Sequence, residues 1–506
     1  MFTKGYMKIT FVYPDLIGSA DYKGIFYIGI ASLSSFLRAR GHKTSLIHIV
    51  QPIDEEKMAY IFKNDDADLY ALSCTANMFP YIKKCTRIIK DQIDKPVVIG
   101  GVYPTLCPAK VIEERSIDYV CQGEGEYPLF DLCEAIQNGE KSLDILNIWG
   151  RDKEARVVEN KMRPLIDNLD ILPFPDREIY ENFPNLMNER EGFTTFMASR
   201  GCPYDCTYCC NHALKNTFEG LGRYVRFRTV DSVIQEIKYT AEKYSFLKEF
   251  AFEDDILPLN KDWFEEFAEK YKKEIGIPFR CNTRPDILDQ NVITLLKYAG
   301  CWKINIGIET GSEYIRTEIL NRNISDKKIY SVSSLCKENN ISLFTFNILG
   351  LPFETCEDML ETIKINARLK SSFSQCTIFY PYEKTKLYQI CLEEKLLSNQ
   401  ELKDYYTESS LNYRHLTSNR IKFFTYYFRL LVFFYSQVFA LSGILKIFVE
   451  KLLDSILSSP LTGYCLFPFF NDFYISMRSL KLSAKIGHFF KRKIRLQKKR
   501  KNIREI

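Results

Sequence analysis

The stretch TTFMASRGCPYDCTYCC, residues 194–210, decides the fold and the chemistry expected of this chain. An apolar run of the β type leads directly into a loop that carries Cys202, Cys206 and Cys209. Three thiols spaced i, i+4 and i+7 on the loop that leaves a strand can wrap around one metal cluster. Three thiolates would hold three irons of a cubane cluster and leave the fourth iron open to bind and react. The loop therefore predicts an open iron–sulfur centre.

Two alternatives stay open for this loop. A zinc site could add His212 as a fourth ligand, but the ligands would be crowded and the two separated ligand pairs typical of zinc sites are absent. Cys210 could also replace Cys209 through a slip of one residue.

The composition is that of a globular intracellular protein. The chain has 506 residues, of which 46% are hydrophobic and 16 are cysteines. This length predicts about three domains, and the apolar fraction excludes wholesale disorder. The opening MFTKGYMKITFVYPD has no leader with a basic and then an apolar part, which argues against a secreted disulfide framework. We therefore expect the reducing cytoplasm, where clustered thiols indicate metal or redox chemistry.

Two regions alternate β-type runs with helical patterns, which predicts an α/β protein. Residues 1–145 predict a doubly wound, Rossmann-like parallel sheet with its ligand crevice at the carboxyl ends of the strands. The proline-rich residues 146–192 predict an extended linker laid over a surface. Residues 193–395 predict a full or partial βα barrel, again with its site at the carboxyl ends of the strands. Its β-type runs are TTFMAS, EFAFED, FRCNT, KINIGIE, LFTFNILG and QCTIFYP.

Residues 396–506 predict a mainly helical region with a basic tail. The uncharged run Leu430–Leu445 is sixteen residues long, short of the roughly 20 needed to span a bilayer. Buried helices or a cap over the substrate are expected, with interfacial membrane contact as the alternative. Residues 491–506 hold nine Lys or Arg and one Glu, a net of +8, so the total of +5 leaves −3 for the rest. Such a tail is typical of solvated disorder. The functional alternative, suggested by the adjacent Phe489 and Phe490, is binding to an anionic membrane surface. Binding to nucleic acid is not expected.

The cysteine loop, with the aromatic Tyr208 just before its third cysteine, resembles the signature of the radical S-adenosylmethionine (SAM) superfamily over residues 193–395. The resemblance implies that Cys202, Cys206 and Cys209 hold a 4Fe-4S cluster whose open iron chelates SAM. The spacing typical of the superfamily also favours Cys209 over its neighbour as the third ligand.

Further residues match the superfamily in chain order. Glu253, Asp254 and Asp255 resemble the acidic cluster that faces the amino group of SAM, and Glu309 in GIETGS resembles an acid near the same cofactor. Carboxylates suit an ammonium or ribose hydroxyls, although each acid taken singly could be a helix N-cap or a solvated loop residue. Arg280 could bind the SAM carboxylate or simply form a salt bridge within the barrel.

The N-terminal region resembles the cobalamin-binding domain that precedes the barrel in many radical SAM enzymes. The resemblance rests on Ser73, Gly100, Gly101, Gly123 and Glu124, which follow successive predicted strands, although such glycines could also be simple tight turns. The Asp-x-His-x-x-Gly sequence that supplies a cobalt ligand in some cobalamin proteins is absent. The resemblance therefore implies cobalamin bound without a histidine ligand.

Together these resemblances imply an enzyme that cleaves SAM to a 5′-deoxyadenosyl radical and, with cobalamin, methylates an unactivated carbon of a small molecule. Such an enzyme also needs an electron donor such as flavodoxin or ferredoxin. A cobalamin-dependent radical cyclase or rearrangement enzyme and a tRNA methylthiotransferase are the alternatives, and a non-enzymatic sensor is a third. The methylthiotransferase would need a second cluster, for which Cys74, Cys85, Cys107, Cys121 and Cys133 lie on mixed elements.

Overall fold

The computed structural model describes residues 6–16, 24–140, 144–183, 192–398, 409, 411–413 and 416–459. Within these ranges two mainly parallel sheets follow each other along the chain, a two-stranded sheet accompanies the second, and three helices come last. The basic tail, with Phe489 and Phe490, lies outside the described residues.

The first sheet is a doubly wound sheet with strand order β2-β1-β3-β4-β5-β6-β7, as predicted. The strands β1 to β5 are parallel, and the order reverses between β1 and β3, where doubly wound folds place their ligands. Its elements are β1 (Lys8–Pro14), α1 (Ile28–Arg38), β2 (Lys43–Ile49), α2 (Glu55–Lys63), β3 (Leu69–Ser73), α3 (Phe79–Ile93), β4 (Val97–Gly100), α4 (Val102–Leu106), α5 (Pro108–Ile112), β5 (Tyr119–Cys121), α6 (Glu126–Gln137), β6 (Ile148–Arg151) and β7 (Val157–Val158).

The region predicted as a linker contains two strands and a segment that is packed between the domains. Its strands β6 and β7 extend the first sheet in the antiparallel sense. Further along, Arg177 packs between the rings of Phe26 from the first domain and Phe196 from the second, at 5.4 and 4.6 Å. Tyr180 is fully buried and contacts the backbone of Tyr27. The prolines exclude regular helices here but not burial, so the segment is packed between the domains rather than laid over one surface.

The second sheet has six parallel strands in the order β15-β14-β13-β12-β11-β8, and all six predicted β-type runs form strands of it. Because β8 and β15 are its edges, the sheet is a partial rather than a closed barrel. Its region contains β8 (Phe193–Phe196), β9 (Ser199–Arg200), α7 (Cys210–Thr217), β10 (Arg226–Phe227), α8 (Val230–Lys243), β11 (Glu249–Phe252), α9 (Lys261–Glu274), β12 (Phe279–Thr283), α10 (Gln290–Ala299), β13 (Cys301–Glu309), α11 (Asp326–Glu338), β14 (Ser342–Leu349), α12 (Cys356–Leu369), β15 (Phe373–Ile378) and α13 (Lys386–Glu393).

The largest apolar core runs through both domains, since Leu129 of the first sheet's helices and Phe250 of the second sheet belong to one buried cluster. This shared core fixes the two sheets against each other. The predicted C-terminal helices are α14 (Ser418–Tyr426), α15 (Phe428–Val438) and α16 (Gly443–Ser458), which pack on α12 and β15. Within the described ranges, no helix combines the length and the apolar character that crossing a bilayer requires.

Candidate active site between the two sheets

The cysteine loop leaves the carboxyl end of β8 and ends where Cys209 caps the amino end of α7. Gly201 shapes its first turn with a φ of 89°, and a side chain there would overlap the carbonyl oxygen of Tyr224. Cys206 is 5% exposed, whereas Cys202 and Cys209 are partly exposed. The loop thus needs glycine at its start for two independent reasons, its backbone angle and its packing.

Two buried arginines donate to the central thiol. Arg284 Nη1 lies 3.2 Å from Cys206 Sγ, and Arg322 Nη1 lies 3.9 Å from the same sulfur. The carboxylate of Asp286 holds the Arg284 guanidinium at 3.0 and 3.2 Å, and the Tyr204 ring stacks 3.6 Å below it. Such donors stabilise negative charge on the sulfur, as an iron ligand requires.

Glu309 and Tyr208 form a second buried contact beneath the loop. Burial raises the pKa of Glu309, while Arg322 and a hydrogen bond from the Tyr208 hydroxyl act in the opposite direction. Glu309 also has a φ of 67°, unusual for a residue with a side chain. The structure therefore joins the predicted residues Tyr208 and Glu309 to Cys206 through one shared arginine, Arg322.

The three acids after β11 differ in exposure, since Asp254 is buried whereas Glu253 and Asp255 are exposed. Asp254 is buried and accepts from Ala198 N at 3.0 and 3.1 Å and from Ser199 Oγ at 2.5 Å, so it clamps the start of the cysteine loop. Burial raises the pKa of Asp254 to about 6. All three acids line a cavity next to the loop. A contact of Asp254 with SAM stays a prediction.

A cavity of about 470 Å³ lies where the carboxyl ends of both sets of strands meet. Apolar side chains of the first sheet form part of its wall, and from the second sheet it is lined by the start of the cysteine loop, Ser199 to Gly201, and by the acids Glu253, Asp254 and Asp255. All five residues that the sequence assigned to a cobalamin site line it, namely Ser73, Gly100, Gly101, Gly123 and Glu124. The two glycines Gly101 and Gly123 have φ of 104° and 87°, and side chains there would press on Cys74 and Phe218. The two glycines therefore allow close packing at the cavity wall and also leave room for a ligand in the cavity.

Glu124 is held by two arginines of the second domain. Arg200 Nη1 lies 2.7 Å from Glu124 Oε1, and its Nη2 lies 2.5 Å from Glu126 Oε1. Arg226 Nη2 reaches Glu124 Oε1 at 3.1 Å, and Ile166 N donates to Oε2 at 2.8 Å. Burial would raise the pKa of Glu124, but the two guanidiniums outweigh it and hold the pKa below its usual value. We call Glu124, Glu126, Arg200 and Arg226 the interdomain latch.

Arg280 does not join this site. Its guanidinium lies 3.1 Å from Glu249 and 4.2 Å from the Phe193 ring, so the salt-bridge alternative describes its contacts. The arginine that reaches the cysteine loop is Arg284, four residues later in the same FRCNTRPD stretch. Sequence reasoning missed Arg284, Arg322 and Arg200, because only the fold brings them to the loop.

Three histidines, His212, His42 and His48, each lie beside a carboxylate. His212 Nδ1 lies 3.2 Å from Asp205 and its Nε2 3.5 Å from Asn216, which turns the ring toward its own helix. Of the described side chains, no three Cys, His, Asp or Glu converge as the ligands of a single ion do. In a cubane cluster each thiolate binds a different iron, so the three sulfurs are expected to lie farther apart than the ligands of a single ion. In the first domain, His42 lies 3.7 Å from Glu134 and His48 lies 3.2 Å from Asp15.

The residues at the site fit the implied cofactors. The thiol loop with its guanidinium donors suits a thiolate-bound cluster, and Glu253 and Asp255 are open carboxylates that suit the ammonium of SAM. The cavity at the switch point between β1 and β3, with its glycine turns, suits a large cofactor lying between the sheets.

Comparison with known proteins gives two family matches. Residues 197–365 match the radical SAM superfamily, and residues 20–132 match the B12 binding domain. An uncharacterized methyltransferase of Pyrococcus horikoshii is 27% identical over 400 residues, 78% of this chain and 84% of that protein. The anaerobic magnesium-protoporphyrin IX monomethyl ester cyclase of Rubrivivax gelatinosus is 26% identical, over 76% of this chain and 70% of that protein.

Solved structures share the fold. The radical SAM methyltransferase TsrM of Kitasatospora setae, with tryptophan and a SAM analogue bound, superposes with a TM-score of 0.62 at 17% identity, covering 77% of this chain and 76% of that one. The cobalamin-dependent radical SAM enzyme OxsB superposes with a TM-score of 0.66 at 15% identity, covering 94% of this chain and 76% of that one. At these identities the likeness concerns the fold alone.

Proposed function

Because this chain belongs to the radical SAM superfamily and carries a B12-binding domain ahead of its radical SAM domain, we propose that it is an enzyme that methylates an unactivated carbon of a small molecule. One observation carries the proposal: a single cavity is lined by the start of the cysteine loop, Ser199 to Gly201, and by the carboxyl ends of the first sheet's strands. In this proposal SAM at the cysteine loop and cobalamin at the first sheet would share that cavity. A substrate between them would meet both.

When bound, the cluster with SAM supplies a carbon-centred radical that abstracts hydrogen, and cobalamin supplies the methyl group. The chain would hold the cluster through Cys202, Cys206 and Cys209. Glu253 and Asp255 would accept hydrogen bonds from the SAM ammonium. Asp254 holds the loop start through Ala198 and Ser199.

The first test is anaerobic. Reconstituted protein with SAM and a reductant such as flavodoxin or ferredoxin should yield 5′-deoxyadenosine, and Cys206→Ala should abolish it. With reduced cobalamin, the wild type should also yield methylcobalamin and S-adenosylhomocysteine. Formation of 5′-deoxyadenosine without methylcobalamin would favour the cyclase or rearrangement alternative. The absence of both products would favour a sensor.

The arrangement of the N-terminal cysteines argues against the methylthiotransferase alternative. Cys74 and Cys85 are buried in one apolar cluster, Cys121 and Cys133 in another and Cys107 in a third. An auxiliary cluster would need three of them at one place. About four irons per chain are therefore expected, and about eight would support the methylthiotransferase.

A further inference from the structure

The last described helix, α16, turns its two acidic side chains toward the protein. Asp454 Oδ2 lies 2.8 Å from Lys364 Nζ, and Glu450 Oε1 lies 3.6 Å from the same nitrogen. The Tyr435 hydroxyl donates to Asp454 Oδ1 at 2.6 Å. The Lys364 side chain is only 8% exposed, so these ion pairs are largely withdrawn from water. The inward face of α16 is thus anchored by charge.

The outward face of the same helix is apolar. Ile444 is 85% exposed and Phe448 is 63% exposed. A surface helix in water normally buries its apolar stripe and exposes its charges. In α16, most apolar side chains are exposed and the two acids face inward. We call this surface the apolar face of α16; it comprises Ile444, Leu445, Ile447, Phe448, Leu452 and Ile456.

The preceding helix adds exposed aromatic surface, since Phe433 and Phe434 of α15 are 52% and 46% exposed. Isolated exposed apolar side chains are common, but runs of them on successive helices mark interaction surfaces. Because α16 has sixteen residues, it is about 24 Å long. That length suits a helix lying along an interface better than one crossing it.

We propose that the apolar face of α16 docks the protein on the surface of an anionic lipid bilayer. Charge complementarity selects this occupant. Lys451 is exposed beside the apolar face, and residues 491–506, with their net charge of +8, follow α16 in the chain. An amphipathic helix combined with a polybasic segment supplies the two signals that stable peripheral attachment needs.

The test uses the full-length, anaerobically reconstituted protein and sedimentation with two kinds of vesicle, phosphatidylcholine alone and phosphatidylcholine with roughly one-third phosphatidylserine. The wild type should bind the anionic vesicles. Phe448→Glu should weaken this binding at least about tenfold, because it places a charge in the apolar face. The matched control is Tyr60→Glu, which puts the same charge in place of an exposed aromatic side chain on α2, away from α16, and should change binding less than about threefold. Truncation after residue 490 should weaken binding to anionic vesicles only.

Several outcomes would overturn the proposal. Equal binding by Phe448→Glu and wild type would exclude the apolar face, and failure of the wild type to bind would exclude a lipid partner. If light scattering instead shows a wild-type dimer that Phe448→Glu converts to a monomer, the face is an interface between copies of this chain. If truncation after residue 459 creates binding that the full chain lacks, the C-terminal segment covers the face. Formation of 5′-deoxyadenosine is measured alongside and should be unchanged in Phe448→Glu, so that membrane docking and catalysis are tested separately.

Discussion

The interdomain latch allows a direct test of how the two sheets are held against each other. We consider Arg200→Met, which keeps most of the side-chain volume and removes the charge. In the wild type Arg200 bridges Glu124 and Glu126, whose side chains are 15% and 4% exposed. After the substitution, Arg226 still pairs with Glu124 at 3.1 Å. The carboxylate of Glu126 loses the only ion pair that the structure gives it among the described residues.

The expected loss of stability follows because Glu126 loses its ion pair whereas Glu124 keeps one. Removing one partner of a buried ion pair costs about 3–5 kcal/mol when the other charge stays buried and uncompensated. Arg200 itself is 26% exposed, so water can partly replace it, and we expect about 2–3 kcal/mol. For a unit of about 200 residues this corresponds to a fall of roughly 4–12 °C in the midpoint of thermal unfolding.

The assay compares thermal unfolding of Arg200→Met with that of a matched control, Arg223→Met. Arg223 contacts Asp167 through two hydrogen bonds of 2.9 Å, but the two side chains are 75% and 66% exposed. Such surface pairs contribute about 0–1 kcal/mol. Arg223→Met should therefore shift the midpoint much less.

A double substitution separates the latch from a general packing effect. If the Arg200–Glu126 pair acts as described, adding Glu126→Gln to Arg200→Met should recover part of the lost stability, because it removes the uncompensated charge. Equal shifts for Arg200→Met and Arg223→Met, together with simple additivity of the two latch substitutions, would refute the reasoning.

Three further predictions concern the cysteine loop. Arg284→Gln should lower the reduction potential of the bound cluster by on the order of tens of millivolts in anaerobic EPR titration, since a positive donor to sulfur is lost, whereas Arg280→Gln should leave it unchanged. The pKa of folded Asp254 is about 6, above its unfolded value of about 3.9, so the wild type should lose about 3 kcal/mol of stability as pH rises from about 3 to about 7, roughly two-thirds of it between pH 4 and 6. That slope should be absent in Asp254→Asn, and an unchanged slope would contradict the assignment. Gly201→Ala should reduce the iron content per chain by steric overlap, while Gly220→Ala, with open space around it, should retain iron; equal iron content in both would count against the steric argument.

The sequence predicted the fold closely wherever a local pattern repeats. The six β-type runs between residues 193 and 395 became six parallel strands because buried strands carry short apolar runs between helical patterns. The linker was predicted less well. Prolines disfavour helices in any context, but nothing in residues 146–192 alone reveals that Arg177 would pack between rings of two domains.

The candidate site divides in the same way. Cys202, Cys206 and Cys209 could be chosen from sixteen cysteines because their spacing is local and the loop follows a strand. The choice of Arg280 rather than Arg284 rested on neighbouring residues of one strand region, where spacing cannot tell which guanidinium reaches the loop. Only their contacts with Glu249 and with Cys206 separate them.

What the sequence by itself determined is therefore the set of local elements: the thiol loop after its strand, the two βα series and the glycine turns. Their physical basis is short-range, in side-chain periodicity and backbone angles. The tertiary structure decided how residues distant in the chain meet, such as Glu124 with Arg200, and Lys364 with Asp454. It also decided that α16 faces outward with its apolar side, because the composition of a helix fixes its two faces but only packing determines which one meets the protein.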